Sequence, residues 1–323
     1  MLKSDFSFCH MLNPSNKNMV KLNIDLPKDF LKEEERCGHI VTTQMKEAWA
    51  VMIDILVEFQ RICKKHNLTY YAIAGTLLGT IRHGGFIPWD DDIDVVMPRK
   101  DFDRFCKIAP TEFKHPYFFQ SPFTDFGIDP GFAKIRRSDT TCLFHRDNDL
   151  IINYNQGIFI DIFPLDNIPD NPIDKTNLLD QLRIVGSKCR RSTAFYESKS
   201  KIKTFLKRIF FKLKKIFKAH WFEAKLSDYQ HYEDLLKSFC DKDTKIVGNF
   251  SAGYVENWTW PRNLFESSKE VPFEFISIKI PSGYEKILDI NFGNWKEFVK
   301  GGSCHGELFF DAHKPYTEYL RKR

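Results

Sequence analysis

The string Trp89-Asp90-Asp91-Asp92-Ile93-Asp94-Val95-Val96-Met97 places four carboxylates directly ahead of an apolar run. Val95, Val96 and Met97 ask to be buried, while the acids beside them are charged at neutral pH. Side chains alternate across a strand. A strand carried back from the apolar run would put Asp90, Asp92 and Asp94 on one face and Asp91 on the other. Three carboxylates on one face repel one another and cost free energy to desolvate. A hard divalent cation offsets that cost: Mg²⁺ prefers carboxylate oxygens and leaves positions for phosphate and water. The competing reading is a solvated acidic turn that happens to precede a strand.

Two further features favour the cation. Gly75-Thr76 stands upstream where a strand-like stretch, "TYYAIAG", gives way to the short helix-compatible "TLLGTIRHG". A helix start there offers free backbone N–H groups, and a glycine allows close approach of phosphate. Gly84-Gly85 and Pro88 shape the connecting loop, with Arg82 and His83 placed to meet more phosphate charge. His83 suits a loop hydrogen bond better than this oxygen-rich site. Downstream, "GIFIDIFPLD" sets Asp161 between Ile160 and Ile162 in an apolar strand. A lone buried acid there should be paired or metal-bound, and it would complete a cluster with Asp92 and Asp94. Asp166 reads only as a turn residue.

The rest of the chain is consistent with a large folded protein. Its 323 residues, 42% apolar, suffice for one large or two ordinary domains. Eight cysteines are scattered without a CxxC pair, which excludes the usual zinc spacing and suggests free thiols in a reducing cytoplasm. The N-terminal stretch lacks a signal-peptide core, and no run is long and apolar enough to span a membrane. Met45, Trp49, Met52, Leu56, Phe59 and Cys63 predict an amphipathic helix capped by Thr42 or Thr43. "DIDVVM", "YFFQS", "GFAKIRR", "IFIDIFP" and "FEFISIKIP" read as strands; "RKDFDRFCKIA" and "GYEKILDINFG" read as helices. Helices dominate from about 177 to 239. The fold class is α/β (α+β): a mixed-sheet core flanked by helices, with a helical insertion or appendage. Lys134 and Arg136 share one strand face and Arg137 opposes them; a solvated edge strand is the alternative there. Tyr284 and Trp295 read as core residues.

The string "GTLLGTIRHGGFIPWDDDID" resembles the LicD family, within the nucleotidyltransferase-fold superfamily that also holds fukutin-type transferases. The likeness is near-continuous over 70–104, looser through "FAKIRRSDTT" and "GIFIDIFPLD", and returns at "IKIPSGYEKILDINFGNW". It implies a nucleotidyltransferase-like mixed sheet and a catalytic domain over 41–323, after a polar, irregular extension over 1–40. Within that domain, the core would cover about 43–170, a basic helical region about 177–240 and a C-terminal family segment about 270–323. It further implies a metal-dependent transferase that moves phosphocholine, or a related phospho-alcohol, from a CDP-activated donor onto a sugar of a cell-surface glycan. On that pattern Asp92, Asp94 and Asp161 hold Mg²⁺ or Mn²⁺, and Asp90 is a further ligand or a base. Gly75, Thr76, Arg82, Lys134 and Arg136 meet the donor phosphates. The chain departs from the family at Phe292-Gly293-Asn294, where an acid is usual, which bears on acceptor choice. A nucleotidyltransferase adding a nucleoside monophosphate, and a silent glycan- or membrane-binding module, are the alternatives.

Positive charge is concentrated between Lys199 and Lys218, and the remainder is net acidic. Ile202, Phe205, Leu206, Ile209, Phe210, Leu213, Ile216 and Phe217 follow helical steps among the lysines. A basic amphipathic helix over about 199–222 is expected to contact an anionic membrane, at the inner face of a cytoplasmic enzyme. An ordinary core-packing helix is the alternative. Nucleic acid is not an expected partner, because no recognisable module accompanies the charge.

Overall fold

The computed structural model describes residues 18–125, 128–144, 154–193, 218–251, 258–302 and 308–320. Most of the basic segment, 199–217, lies outside them, and with it the expected membrane contact. Among the described residues no helix is long and apolar enough to cross a membrane.

The chain enters through a hairpin, β1 (Glu34–Arg36) and β2 (His39–Val41), within the stretch the sequence suggested was irregular. The turn between them uses left-handed backbone at Cys37 (φ 52°) and Gly38 (φ 72°). Helix α1 (Thr43–Lys65) follows, with Thr42 Oγ1 accepting from Met45 N at 3.3 Å. The apolar stripe predicted a one-sided helix. Instead Ala50, Val51, Ile53 and Ile55 are buried as well. Strands pack against α1, and Met19, Val20, Leu22 and Ile24 of the N-terminal segment pack on the same core.

The next elements are β3 (Tyr71–Ala72), α2 (Ala74–His83), β4 (Asp94–Pro98), α3 (Arg99–Glu112), β5 (Tyr117–Gln120), β6 (Ala133–Arg137), β7 (Thr141–Phe144) and β8 (Ile158–Ile168). Two helices come after: α4 (Pro172–Thr193) and α5 (Lys218–Lys237). Then follow β9 (Ile246–Gly248), β10 (Thr259–Pro261), the hairpin β11 (Ser268–Phe273) and β12 (Ile276–Pro281), α6 (Tyr284–Phe292) and β13 (Leu308–Asp311). A seven-stranded mixed sheet is organised around β8, which is eleven residues long. Strand β4 pairs with β8 in parallel, β6 and β9 pair with it antiparallel, and β5, β3 and β10 extend the sheet. This mixed α/β arrangement, with helices packed on the sheet, is the expected class.

Strand β6 is not a solvated edge. It lies between β5 and β8, and all five of its residues are buried. Arg137 pairs with Asp54 of α1, which also accepts from Tyr117 Oη at 2.6 Å. Asp166 is not a turn residue either. It is buried in β8 and accepts from Arg99 Nε at 2.5 Å. Arg99 also reaches Glu233 of α5 at 3.2 Å. That charge cluster ties α5 to the sheet, beside a second core of Leu178, Leu182, Tyr229, Tyr232 and Phe250.

Candidate functional site

The candidate site forms where β3, α2, β4 and β8 meet. Strand β3 ends after two residues. Ala74 then takes a left-handed φ of 53°, a costly conformation for a residue with a Cβ, and α2 starts at once. The first intrahelical bond runs from Leu77 N to Ile73 O at 3.0 Å. The N–H groups of Ala74, Gly75 and Thr76 precede it, so no helical carbonyl takes them. Thr76 Oγ1 accepts from Asp94 N at 2.8 Å, which fixes the first turn of α2 to the first residue of β4.

The strand register brings the acids together. Asp94 of β4 stands opposite Asp161 of β8, and Asp161 stands opposite Lys134 of β6. Directly opposed residues share a face, so these three form one row across three strands. Asp161 N donates to Ile93 O at 2.8 Å and locks the register at the site itself. Asp92, Asp94 and Asp161 each offer a carboxylate oxygen within 4.8 Å of the others. Asp90, Asp91 and Asp92 form a second such group. Asp91 is therefore not turned away from its neighbours as alternation suggested. Regular strand begins only at Asp94, and residues 90–93 have no strand geometry to impose a period of two.

The electrostatics follow from crowding. Burial, followed by repulsion from Asp91, pushes the Asp90 carboxyl up to about 7. Asp94 is held well above the ordinary carboxylate range by burial, then by Asp92, Asp161 and Asp90, with Lys134 pulling the other way. Lys134 is buried and donates to Asp161 Oδ1; burial lowers its ammonium, and Asp161 offsets part of that.

Not every expected residue reaches this centre. Arg136 is fully buried and donates to Gln120 Oε1 at 2.5 Å and to the Gly157 carbonyl at 2.8 Å. These two bonds tie it to β5 and to the residue before β8. Arg82 is near the far end of α2 from Gly75, with its guanidinium 5.2 Å from the Phe298 ring. His83, in the last turn of α2, has its Nδ1 3.8 Å from Cys37 Sγ. Trp295 is buried and donates to Asp289 Oδ1 at 3.0 Å, whereas Tyr284 is only partly buried.

Residues far away in sequence hold the acidic loop. Trp49 Nε1 donates to Asp90 O at 3.0 Å, and its ring stacks on Phe86 at 4.5 Å. Glu274 accepts from Phe86 N at 3.0 Å and from Arg36 Nη1 at 2.6 Å. Within α2, Gly75 and Gly79 lie four residues apart, on the face that the loop covers. A Cβ on Gly79 would come within 2.4 Å of Gly85 O and 2.9 Å of Ile87 N, both backbone atoms. A Cβ on Gly75 would meet Asp90 Oδ2 at 2.4 Å, with the other two nearest atoms, at 3.4 and 3.6 Å, in the same side chain. The two alanine variants should therefore differ. Gly79→Ala should cost about 1–3 kcal/mol in denaturant unfolding, because backbone must move. Gly75→Ala should leave stability near wild type, since Ala favours the helix by about 1 kcal/mol, and only Asp90 need shift. Equal destabilisation of both would contradict this geometry.

A catalytic metal, which the resemblance calls for, can be tested against the donor set. The groups are all carboxylates, as a hard divalent cation requires, and His and Cys are absent from both groups. The sequence model of the family described as "LicD/FKTN/FKRP, nucleotidyltransferase domain" matches residues 67–176, which run from the end of α1 past β8 and contain every acid of the site. Over those residues the chain is similar to the LicD family. It is 33% identical over 129 residues to a lipopolysaccharide cholinephosphotransferase LicD of Haemophilus influenzae, covering 40% of this chain and 46% of that protein. It is also 36% identical over 59 residues to an uncharacterized protein of Rickettsia typhi, covering 18% of this chain and 19% of that protein. The chain thus spans less than half the length of the curated relatives it matches. The LicD match leaves α5, β11, β12 and α6 outside its bounds.

Proposed function

We propose that this chain is a LicD-family, metal-dependent phosphotransferase. It would move phosphocholine, or a related phospho-alcohol, from a CDP-activated donor onto a sugar hydroxyl of a cell-surface glycan. The observation that carries this reading is the row Asp94–Asp161–Lys134, placed beside Asp92 and the open N-terminus of α2. The named activity of the Haemophilus relative supports the choice of phospho-alcohol and acceptor.

Phosphoryl transfer asks a protein mainly for positioning and charge neutralisation. Asp92, Asp94 and Asp161 would hold Mg²⁺ or Mn²⁺, which neutralises the donor diphosphate and the departing CMP oxygen when bound. The N–H groups at Gly75 and Thr76 would orient a phosphate. Lys134 adds a fixed positive charge at the Asp161 end. Asp90, whose carboxyl is pushed up to about 7, would take the proton of the acceptor hydroxyl.

The test is a thermal-shift screen of CDP-choline, CDP-ethanolamine, CDP-glycerol and CDP-ribitol with and without Mg²⁺. Mass analysis of a glycan product then follows with the donor that binds. Stabilisation by one CDP-alcohol only with Mg²⁺, followed by release of CMP, is the expected result. Attachment of a whole nucleotide would instead assign nucleotidyl transfer, and no stabilisation by any of them would remove the reading.

The raised carboxyls give a pH prediction. Asp90 binds its proton up to about pH 7 in the folded chain but only up to about pH 4 when unfolded. The folded state therefore holds more protons across that window, and metal-free stability falls as pH rises through it. Saturating Mg²⁺ should restore what the deprotonated acids lose. Its gain in Tm is expected to be larger at pH 8 than at pH 5.5, and equal gains would count against metal binding at these acids.

A further inference from the structure

Five carboxylates form two overlapping groups, Asp90–Asp91–Asp92 and Asp92–Asp94–Asp161, with Asp92 common to both. A shared carboxylate is what a two-ion centre needs, since its ions lie about 3.5–4 Å apart and are bridged. Read from the acids alone, the site would take two divalent ions. The basic residue in the row changes that count.

We infer that Lys134 is the second cation of this centre, so that the chain binds one divalent ion and not two. The inference rests on the metal-dependent reading above. Three observations carry it. First, the antiparallel register of β6 and β8 sets residue 134 directly opposite residue 161, so its side chain cannot avoid the cluster. Second, the Lys134 ammonium donates to Asp161 Oδ1 while both groups are buried. Part of the binding capacity of the Asp161 carboxylate is thereby taken by the ammonium. Third, the ammonium is 3.8 Å from the Phe159 ring centroid and 5.2 Å from that of Phe132. Cation–π attraction on two sides holds it in place, and leaving would cost both contacts as well as the ion pair.

A second divalent ion at the Asp92–Asp94–Asp161 end would sit within a few ångströms of a fixed positive charge in a poorly solvated place. Coulomb repulsion there is weakly screened. Charge balance points the same way, because the ammonium already offsets one of the five acids. Lysine suits this role better than arginine, being a compact point charge that occupies the space of a single ion.

The number of bound ions decides the matter without reference to turnover. The intact chain is titrated with Mn²⁺ at pH 7.5, and free Mn²⁺ is read by electron paramagnetic resonance. Wild type is expected to bind one ion, Lys134→Met two, and Lys134→Arg one. Far-UV circular dichroism in the presence of Mn²⁺ checks that the variants are folded. Two ions in the wild type overturn the inference whether or not Lys134→Met folds, and so do fewer than two in a folded Lys134→Met. No ion in the wild type is a different result: it removes the metal-dependent reading itself.

Discussion

Asp94→Asn is expected to abolish transfer and to leave the metal-free protein at least as stable as wild type. The activity side follows from position. Asp94 is the first residue of β4, fixed through its own N–H to Thr76 and through register to Asp161. An amide in its place keeps the shape and removes the charge that would hold the cation. Loss of one preorganised charge-bearing group costs on the order of 10²–10³ in rate. The stability side follows from crowding. Asp94 is held well above the usual carboxylate range by burial and by Asp92, Asp161 and Asp90. Its ionised form therefore destabilises the folded state at neutral pH, and removing that charge relieves it. A gain of about 1 kcal/mol would raise Tm by roughly 2–4 °C for a domain of this order of size. The measurements are a transfer assay at saturating Mg²⁺ and a thermal melt in EDTA. Near wild-type turnover would remove Asp94 from the site, and a marked loss of Tm would show a structural role instead.

Much of this centre was legible in the sequence because its signals are local. An acid between Ile160 and Ile162 is a contradiction within an apolar strand, and Gly75-Thr76 marks a strand-to-helix junction. What escaped depends on register and on contacts between remote segments. No single sequence states that residue 134 faces residue 161, so Lys134 was legible as a cation but not as the partner of Asp161. Arg136 is two residues further on the same strand, yet Gln120 and Gly157 claim its guanidinium. Trp49 and Glu274 hold the acidic loop from 41 and 188 residues away in the chain. The Trp49 side chain read only as part of an apolar stripe. Glu274 sits inside a run read as one strand; it occupies the turn of a hairpin, with a left-handed φ of 51°. Asp91 was misplaced because alternation was carried back through residues that are not strand. Asp166 was misread because β8 continues beyond the Pro164 that seemed to end it.

The Asp161→Asn variant should be as inactive as Asp94→Asn and yet move stability in the opposite direction. Both substitutions remove one carboxylate from the same group. They differ in what is left behind. Asp94 leaves fewer mutually repelling acids, whereas Asp161 leaves the buried Lys134 ammonium without its ion-pair partner. Breaking a buried pair from one side typically costs 3–5 kcal/mol, because an uncompensated charge stays in the interior. Asp94 still attracts Lys134 through space, so the lower end is expected, about 3 kcal/mol or roughly 6–12 °C in Tm. Adding Lys134→Met to Asp161→Asn removes the stranded charge and should recover most of that loss. A double-mutant cycle in EDTA measures the coupling directly. A merely solvated acidic turn predicts something else: both single variants would stay within about 0.5 kcal/mol of wild type, with no coupling to Lys134. Opposite signs for two neighbouring, chemically identical substitutions therefore separate a built charge centre from a decorated surface.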